Sequence, residues 1–582
     1  MKAKTKILRP ALLAFLIFAS AFLLLFLPFA INKTIGGTCD ALLTIASANF
    51  FGNYVHSVFW GELLTSSLFP ETNMLQWGES AIGLLFVFNF FKLLGCNDVF
   101  SWYFYVVTIF SLNSLGVFAL THHYTKKFFI SVLGGIIFAF TNFAFVNIDD
   151  AHVFFYFFTA ISVVLLLRYK EQGKIHLLYL ASVISALQIY FSIYVFVYGT
   201  LVFTVFFIYA TNLFQKINRK KLIETAINFG IYVVTLIPFV ILYWLAKTHT
   251  QAYIPEFGSW NSIISNAYLT LSDFFRVMPN NSIYASEFKE VDVMFSFFEM
   301  RKSAFVGTLF MSMGIFFSIK YYKKLMPWIV VAALGFIFSS YPYKILSSQI
   351  TFFEIIRLPY RAYFISVMAM SVIAIVGLSE VLKTIRKKQQ LLLIVLIAII
   401  HIAENMPYPF PLSDYNRIKT EIKLHHGLEL SSGFEAAYIA PSPQLTHSIK
   451  TNTNEKAVLL CLPSNRIFGE EHGMFCYNRE LIYMNHQTYF NRNMLNGVHG
   501  YFPKSRIEAQ QCIDQIQNEE CMKELMKQGT THIIIYRNMV LDRRDESQIS
   551  LHNNALLKLV EETDEYIIFE CANFENGNTT AE

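Results

Sequence analysis

Long apolar runs separated by short charged clusters are the feature that most limits how this chain can fold. The run at 390–403, for example, contains no Asp, Glu, Lys or Arg. Hydrophobic residues make up 54% of the chain and charged residues only 15%. A soluble chain of this size would carry charges every few positions along its helices. The pattern therefore predicts a polytopic α-helical membrane protein.

The apolar runs indicate about eleven membrane spans. The first follows Lys2, Lys4, Lys6 and Arg9, a flank that resembles a signal peptide. Its length of about 24 residues, without a small-residue cleavage site, favours a retained first span. The predicted spans are 8–31, 102–120, 128–146, 152–167, 175–191, 194–213, 226–246, 304–319, 326–341, 363–382 and 390–404.

One more apolar stretch, 81–94, is only about 14 residues long, short for a span, and contains Asn89 and Lys92. If it does not cross, the basic loops all lie on the side of the basic N-terminus, as the positive-inside rule requires. If it crosses, those loops move to the opposite side. We therefore predict a juxtamembrane or re-entrant helix on the outer face. The loops concerned are 122–127, 168–174, 216–221, 320–324 and 383–388.

This topology predicts a multi-pass protein of the cell (inner) membrane with a cytoplasmic N-terminus. The net charge of +5 is explained by the basic loops and needs no nucleic acid. Residues 1–404 form the membrane domain in this interpretation. The chain beyond it has strand-like pieces at 457–462 and 531–536 around a helical stretch at 506–528, which predicts a small extracytoplasmic α/β domain over 405–572. The polar tail 573–582 is predicted to be disordered.

Five of the seven cysteines lie after residue 460, without C-x-x-C or other metal-ligand spacing, so zinc is not indicated. Cys512 and Cys521 lie nine residues apart in a helical-looking stretch and are candidates for a disulfide. The equal alternative is that they are small free hydrophobic residues.

Asp40 lies shortly after the first span, on the predicted outer face. A carboxylate there is suited to act as a general base towards an acceptor hydroxyl. Partial burial would raise its pKa towards the working range. The alternative is that Asp40 is the N-cap of a helix that begins at Ala41.

A second acidic cluster, Asp149, Asp150 and His152, lies in the turn between two predicted spans on the same face as Asp40. Carboxylates suit Mg²⁺ or Mn²⁺, which would bridge a lipid-linked phosphate or pyrophosphate. The alternative is that the aspartates cap the following helix.

Arg357 and Arg361 precede the tenth span on the outer face, where topology needs no positive charge. Guanidinium groups bind phosphate oxygens bidentately, so both are candidates for holding an anionic lipid donor. Anchoring near lipid headgroups is the alternative. Arg276 is a weaker candidate of the same kind.

Three further polar residues have two interpretations each. Glu79 begins the 81–94 helix as either a cap or a cavity-lining acid. His401 and Glu404 lie on one face of the last span, where they either line a cavity or pair with each other. The sequence contains no Walker A, dinucleotide-binding, H-E-x-x-H or G-x-S-x-G motif, so it shows no site for soluble-cofactor chemistry.

An ordered set of short motifs resembles the GT-C superfamily of membrane glycosyltransferases, and within it the YfhO-like bacterial multipass proteins. An aspartate follows the first span, and Arg-Leu-Pro-Tyr-Arg at 357–361 is the most specific element. The others are Leu-Phe-Pro at 68–70, Trp-Gly-Glu at 77–79, Gly-Val-Phe-Ala-Leu at 116–120 and Gly-Gly-Ile-Ile-Phe-Ala-Phe at 134–140.

The resemblance implies an enzyme that takes a sugar from a polyprenyl-phosphate carrier and passes it to a glycan, lipid or protein acceptor on the extracytoplasmic face. By position, Asp40 would be the catalytic base. Asp149 and Asp150 stand where the metal-dependent branch has its second acidic motif, but adjacent aspartates replace the usual D-x-D or E-x-D spacing. The C-terminal domain would bind or orient the acceptor.

Two other classes of function stay open from the sequence. A transporter or flippase for lipid-linked glycans would also need outer-face cations and an aromatic cavity, although few charges lie mid-span for ion coupling. A non-catalytic membrane scaffold is the third possibility. Carboxylates that converge on one cavity would favour the enzyme, and carboxylates scattered over loop tips would favour the scaffold.

Overall fold

The structure, a computed structural model, divides into two compact units. A helical unit comprises Met1–Asn32, Ser80–Ile241 and Trp260–Tyr415, and an α/β unit comprises Lys33–Glu79, Leu242–Ser259 and Asn416–Glu582. Two loop segments thus group with the C-terminal part of the chain, unlike the predicted division at 404/405. The structure describes residues 2–31, 34–35, 39–53, 81–148, 150–213, 219–249, 252–253, 267–276, 302–349, 358–406, 434–435, 440–464, 473–497, 502–539, 546 and 548–572.

The described helices of four or more turns, and the shorter ones between them, follow in chain order. They are α1 (Lys2–Ile31), α2 (Cys39–Asn53), α3 (Ile82–Leu93), α4 (Asp98–Thr125), α5 (Phe128–Ala139), α6 (Asn142–Val146), α7 (Phe157–Gln172), α8 (Ile175–Leu187), α9 (Ile193–Thr211), α10 (Arg219–His249), α11 (Thr308–Lys320), α12 (Tyr322–Ser339), α13 (Tyr341–Gln349), α14 (Tyr363–Val381), α15 (Lys387–Asn405), α16 (Pro443–Asn452), α17 (Gly473–Phe490), α18 (Lys504–Ile513) and α19 (Glu519–Lys527).

The helices confirm a multi-pass α-helical membrane protein. Each of the eleven predicted spans coincides with a helix, and eight of these are long and apolar enough to cross a membrane. The other three are shorter apolar helices, at Phe128–Ala139, Ile175–Tyr190 and Thr308–Lys320. The eight long segments are Arg9–Pro28, Asp98–Thr125, Ala151–Gln172, Ile193–Thr211, Lys221–Ile241, Tyr322–Ser339, Pro359–Thr384 and Lys387–Asn405.

The third predicted span, 128–146, is not one continuous helix. Helix α5 ends at Ala139, and Thr141 caps the separate short helix α6 by accepting a hydrogen bond from the Ala144 N–H. A capping hydroxyl competes with the helical backbone pattern, so the chain restarts there in a new direction. This break determines the path of the acidic turn that follows.

The predicted helix at 81–94 is present as α3. It packs on α4, where Phe91 stacks on Phe104 at 4.9 Å between ring centroids. Lys92 forms an ion pair with Asp98. Phe90 on the outer face of α3 is 56% exposed, as expected for a side chain that faces lipid. The description of α3 as juxtamembrane or re-entrant stays a prediction.

The predicted basic loops meet at one end of the helical unit. The indole nitrogen of Trp328 donates to the Tyr124 hydroxyl at 3.0 Å, which joins the loop after α4 to α12. Lys324 pairs with Glu380 at 2.8 Å, which joins α12 to the end of α14. Both contacts connect segments that the loop-charge argument placed on the same side.

Predicted outer-face segments meet at the other end of the same unit. The Tyr360 N–H donates to the Ala267 carbonyl at 3.2 Å. The Asn142 N–H donates to the side-chain oxygen of Asn405 at 3.1 Å. These bonds connect the 140s, the 260s, the 360s and the end of the last span. The pattern of contacts therefore matches the predicted grouping of the loops.

The α/β unit is built on a five-stranded sheet with the order β5-β4-β7-β9-β8. Its strands β4 and β7 are the two predicted from sequence, and they are parallel. Strand β9 is antiparallel to both β7 and β8. The strands of the unit are β1 (Thr34–Ile35), β2 (Ala252–Tyr253), β3 (Phe434–Glu435), β4 (Val458–Leu462), β5 (Asn493–Met494), β6 (Phe502–Pro503), β7 (His532–Tyr536), β8 (Leu557–Glu562) and β9 (Tyr566–Cys571).

Helices cover the sheet. The predicted helical stretch at 506–528 is two helices, α18 and α19, separated at Asn518, whose side chain caps α19. Their apolar side chains form the main core of the unit with β4, β7 and β9. Helix α17 packs against α2. The short pairs β1–β3 and β2–β6 join the two loop segments to the C-terminal part of the chain.

Candidate functional site

The acidic turn of the helical unit lies in a buried break between α6 and α7. Asn113 of α4 holds this break: its amide nitrogen donates to the Phe154 carbonyl at 2.7 Å, and its oxygen accepts from the Tyr156 N–H at 2.8 Å. A helix broken at membrane depth leaves backbone groups that need such partners. Asn113 thereby fixes the segment that carries Asp150 and His152.

Asp150 and Arg361 form a buried ion pair. The two residues are 211 positions apart in sequence and are 4% and 5% exposed. Arg361 belongs to a 3-10 helix, Pro359–Ala362, at the start of α14. Its guanidinium carbon lies 4.7 Å from the centroid of the Tyr194 ring, a cation–π distance. The carboxylate and the ring together fix the orientation of the cation.

Two buried tyrosines next to this pair were not singled out from the sequence. Tyr360 precedes Arg361 in the chain, and Tyr198 lies within electrostatic range of the same guanidinium. Both are fully buried, and their hydroxyls have no hydrogen-bond partner within the part of the chain that the structure describes. An unsatisfied buried hydroxyl is unfavourable, so these groups are candidates for contact with a ligand.

Arg276 forms a local contact. Its guanidinium lies 3.1 Å from Asp273. The same carboxylate accepts hydrogen bonds from the Thr270 N–H at 2.7 Å and the Thr270 hydroxyl at 2.8 Å, which caps the 3-10 helix Leu271–Phe275. Arg276 thus stabilises its own turn, and a role in phosphate binding stays a prediction.

Asp40 is the second residue of α2, in the α/β unit. The helix begins at Cys39, so Asp40 lies within its first turn, where the helix dipole favours a carboxylate. This differs from the predicted alternative of a cap before Ala41. The Asp40 side chain lies outside the described part of the structure, as do Arg357, Asp149 and Glu79.

The residues that the structure describes do not fit a divalent cation. They contain no group of three or more His, Cys, Asp or Glu side chains placed to hold a metal ion. The Asp150 carboxylate is paired with Arg361, a cation in the position where the metal would bind. His152 is half-buried beside this turn. The expected Mg²⁺ or Mn²⁺ therefore stays a prediction.

His401 and Glu404 are both buried at the end of the last span. The Asn405 amide beside them donates to the His401 carbonyl at 2.9 Å. Gly307 approaches this group so closely that an added Cβ would lie 2.9 Å from both Asn405 Nδ2 and Glu404 Oε2. Its φ of +95° also favours glycine. These residues therefore join the start of α11 to α15.

Cys512 and Cys521 are free thiols in the structure. Burial, followed by a hydrogen bond with Cys521, raises the pKa of the Cys512 thiol to about 11. The two sulfurs thus lie close enough to interact but are not bonded. The disulfide stays a prediction.

The helical unit and the sheet define the class: a multi-pass α-helical membrane protein with a small α/β domain. Neither a protein-family model nor a curated protein sequence matches the chain. Among solved structures, the chain is similar to the arabinofuranosyltransferase AftD from Mycobacteria, with a TM-score of 0.49 and 11% identity over 97% of this chain. It spans 40% of the length of AftD.

The chain is also similar to ArnT from Cupriavidus metallidurans. The structure bound to undecaprenyl phosphate gives a TM-score of 0.41 and 10% identity over 95% of this chain and 97% of ArnT. The apo structure gives 0.36 and 9% over 95% and 98%. Both neighbours are GT-C glycosyltransferases, the superfamily that the sequence resembles. Such low identities and TM-scores transfer no activity, ligand or site residue to this chain.

Proposed function

We propose that this protein is a membrane glycosyltransferase that moves a sugar from a polyprenyl-phosphate donor to a glycan, lipid or protein acceptor on the extracytoplasmic side. The supporting observation is Arg361, a nearly buried guanidinium oriented by Asp150 and Tyr194. Guanidinium and phenol hydroxyls are hydrogen-bond donors that suit phosphate oxygens. The unpartnered hydroxyls of Tyr198 and Tyr360 supply two such phenols.

The proposed chemistry is a displacement at the anomeric carbon of the donor sugar. The acceptor oxygen forms a bond to that carbon while the bond to the phosphate oxygen breaks. Arg361 stabilises the negative charge that develops on the departing phosphate. Asp40, as the candidate base, takes the proton of the acceptor hydroxyl. Arg357 is the candidate for a second phosphate contact.

Asp150 acts as a counter-ion for Arg361 in this proposal. A buried guanidinium needs a partner when no phosphate is bound. The carboxylate also limits the positions that the guanidinium can take, which orients it for the next donor. Transfer is therefore expected to continue in EDTA. A Mn²⁺ requirement that disappears in Asp150→Asn would instead make Asp150 a metal ligand.

The test is turnover by the full chain in proteoliposomes supplied with radiolabelled polyprenyl-phosphate hexoses and pentoses. The measured product is free polyprenyl phosphate. We expect release by the wild type and none by the double variant Asp150→Asn/Arg361→Gln. The matched control is Lys324→Gln/Glu380→Gln, which removes an ion pair at the opposite end of the helical unit.

Three results would contradict the proposal. Absence of release with every donor, together with absence of undecaprenyl phosphate binding, would remove its basis. Release by the double variant at the wild-type rate would show that Arg361 takes no part. Movement of the lipid-linked sugar across the bilayer without cleavage would indicate a transporter.

A further inference from the structure

Helix α17 of the α/β unit has an unusually polar buried face. A helix that packs on a sheet ordinarily buries an apolar stripe. Glu480 and His486 of α17 are instead 2% and 5% exposed. His486 Nδ1 lies 3.2 Å from the Tyr536 hydroxyl, and the Tyr483 hydroxyl donates to the Pro463 carbonyl at 3.0 Å. Polar groups at this depth are costly unless they have a purpose.

Ser464 connects this face to a second polar side chain. Its hydroxyl donates to Glu480 Oε1 at 2.7 Å, and its N–H donates to Gln548 Oε1 at 2.9 Å. Gln548 is 2% exposed, and its amide nitrogen has no hydrogen-bond partner among the residues the structure describes. A carboxylate and an amide donor therefore lie on either side of one serine.

These residues lie where the parallel strands of the sheet end. Ser464 follows β4, and Tyr536 is the last residue of β7. From β4 the chain goes through α17 to β5, on one side of β4. From β7 it continues to β8 and β9, on the other side. Crevices at the carboxyl ends of strands, where connections diverge, are the usual ligand sites of such sheets.

We infer that the carboxyl ends of β4 and β7 form a binding subsite for a neutral sugar unit of the acceptor, recognised by Glu480 and Gln548. This inference rests on the proposed function. The carboxylate accepts hydrogen bonds from sugar hydroxyls, and the Gln548 amide nitrogen donates to a sugar oxygen. The rings of Tyr483 and Tyr536, 4.9 Å apart, add an apolar wall.

The subsite has consequences for specificity. The Glu480 carboxylate repels uronic acids and phosphorylated sugars, so the sugar bound there is neutral. All the lining side chains named above are 5% exposed or less, so a bound sugar unit is enclosed. Helix α17 packs on α2, the helix that carries Asp40. Acceptor recognition and the candidate base thus belong to paired helices of one unit.

The test is binding of oligosaccharides to the full chain in nanodiscs without donor. The probe is an array of neutral hexose, pentose and amino-sugar oligosaccharides, with uronic-acid oligosaccharides as the acidic comparison. We expect neutral binding by the wild type and a loss of at least about tenfold in affinity for both Glu480→Gln and Gln548→Ala, since each loses a ligand hydrogen bond.

A matched control exists in the same unit. Glu561 accepts hydrogen bonds from Ser448 and Tyr566 on the edge strand β8, the same chemistry as the Ser464–Glu480 pair but away from the crevice. Glu561→Gln is expected to bind oligosaccharides as the wild type does. Thermal unfolding of each variant separates lost binding from lost folding.

Two results overturn the inference: no neutral oligosaccharide binds to the wild type, or the folded Gln548→Ala variant binds as well as the wild type. Gln548→Ala decides the question even if Glu480→Gln does not fold, because it leaves no buried charge behind. Glu480-dependent binding without any sugar transfer would reject the glycosyltransferase proposal alone. Transfer that is indifferent to both substitutions would reject the subsite alone.

Discussion

The ion pair between Asp150 and Arg361 permits a quantitative test by three variants: Asp150→Asn, Arg361→Gln and the double variant. Both side chains are 6% exposed. Removal of one partner from a buried pair costs about 3–5 kcal/mol because the remaining charge loses its compensation. Additive losses would total about 6–10 kcal/mol. We expect the double variant to lose less than about 2 kcal/mol, since two neutral amides replace two charges.

The assay is equilibrium unfolding by SDS titration in mixed micelles, followed by circular dichroism. Single losses below about 1 kcal/mol that simply add in the double variant would show that the pair is not buried and coupled as described. The same proteins serve for binding of undecaprenyl phosphate. We expect Asp150→Asn to bind it at least as tightly as the wild type, because the guanidinium has lost its competitor.

The double variant is expected to fold but not to bind undecaprenyl phosphate. This combination separates the two roles of the pair, because it restores stability without restoring the cation. A folded double variant with wild-type affinity for the lipid phosphate would refute the assignment of Arg361 as a phosphate contact.

Three further outcomes are expected. Asp40→Asn should abolish transfer while leaving the unfolding transition unchanged, since an amide keeps the shape of the base but cannot accept its proton; full activity would exclude the role. Gly307→Ala should cost about 2–4 kcal/mol through positive φ and crowding, whereas Gly230→Ala, which meets nothing within 4 Å, serves as its control in SDS unfolding. A membrane-impermeant maleimide applied to intact cells should label Cys512 or Cys521 if the α/β unit is extracytoplasmic. Because the pKa of Cys512 is raised to about 11, its labelling rate should rise about tenfold per pH unit between pH 7 and 10.

The spans were predictable because hydrophobic length alone defines a membrane helix. The shorter helices were less so. The restart at Thr141 had only one sequence signal, a capping hydroxyl inside an apolar run, and such residues also occur within continuous helices. The pairs β1–β3 and β2–β6 are two residues per strand, too short for any periodicity to show. The grouping of loop segments with the α/β unit was therefore missed.

The candidate site was predictable only to the level of a face. Counting spans placed Asp150 and Arg361 at one end of the bundle, but their contact depends on how distant helices pack. Tyr198 gave no sequence signal, since a tyrosine near a span end is ordinarily an interfacial anchor. Asn113 did carry a signal, because an amide in the middle of a span needs a partner. The Glu480 face could not be separated from an ordinary exposed helix face by sequence alone.

The two hydrogen bonds of Asn113 have a mechanical consequence. They fasten the turn that carries Asp150 to a point midway along α4, so the turn has no depth of its own in the bilayer. Helix α4 rises by about 1.5 Å per residue, and a sliding or tilting of that helix shifts the turn by the same amount. Bilayers of different thickness tilt their helices differently. The height of the Arg361 cation relative to the lipid phosphates is thus linked to the thickness of the membrane that surrounds the protein.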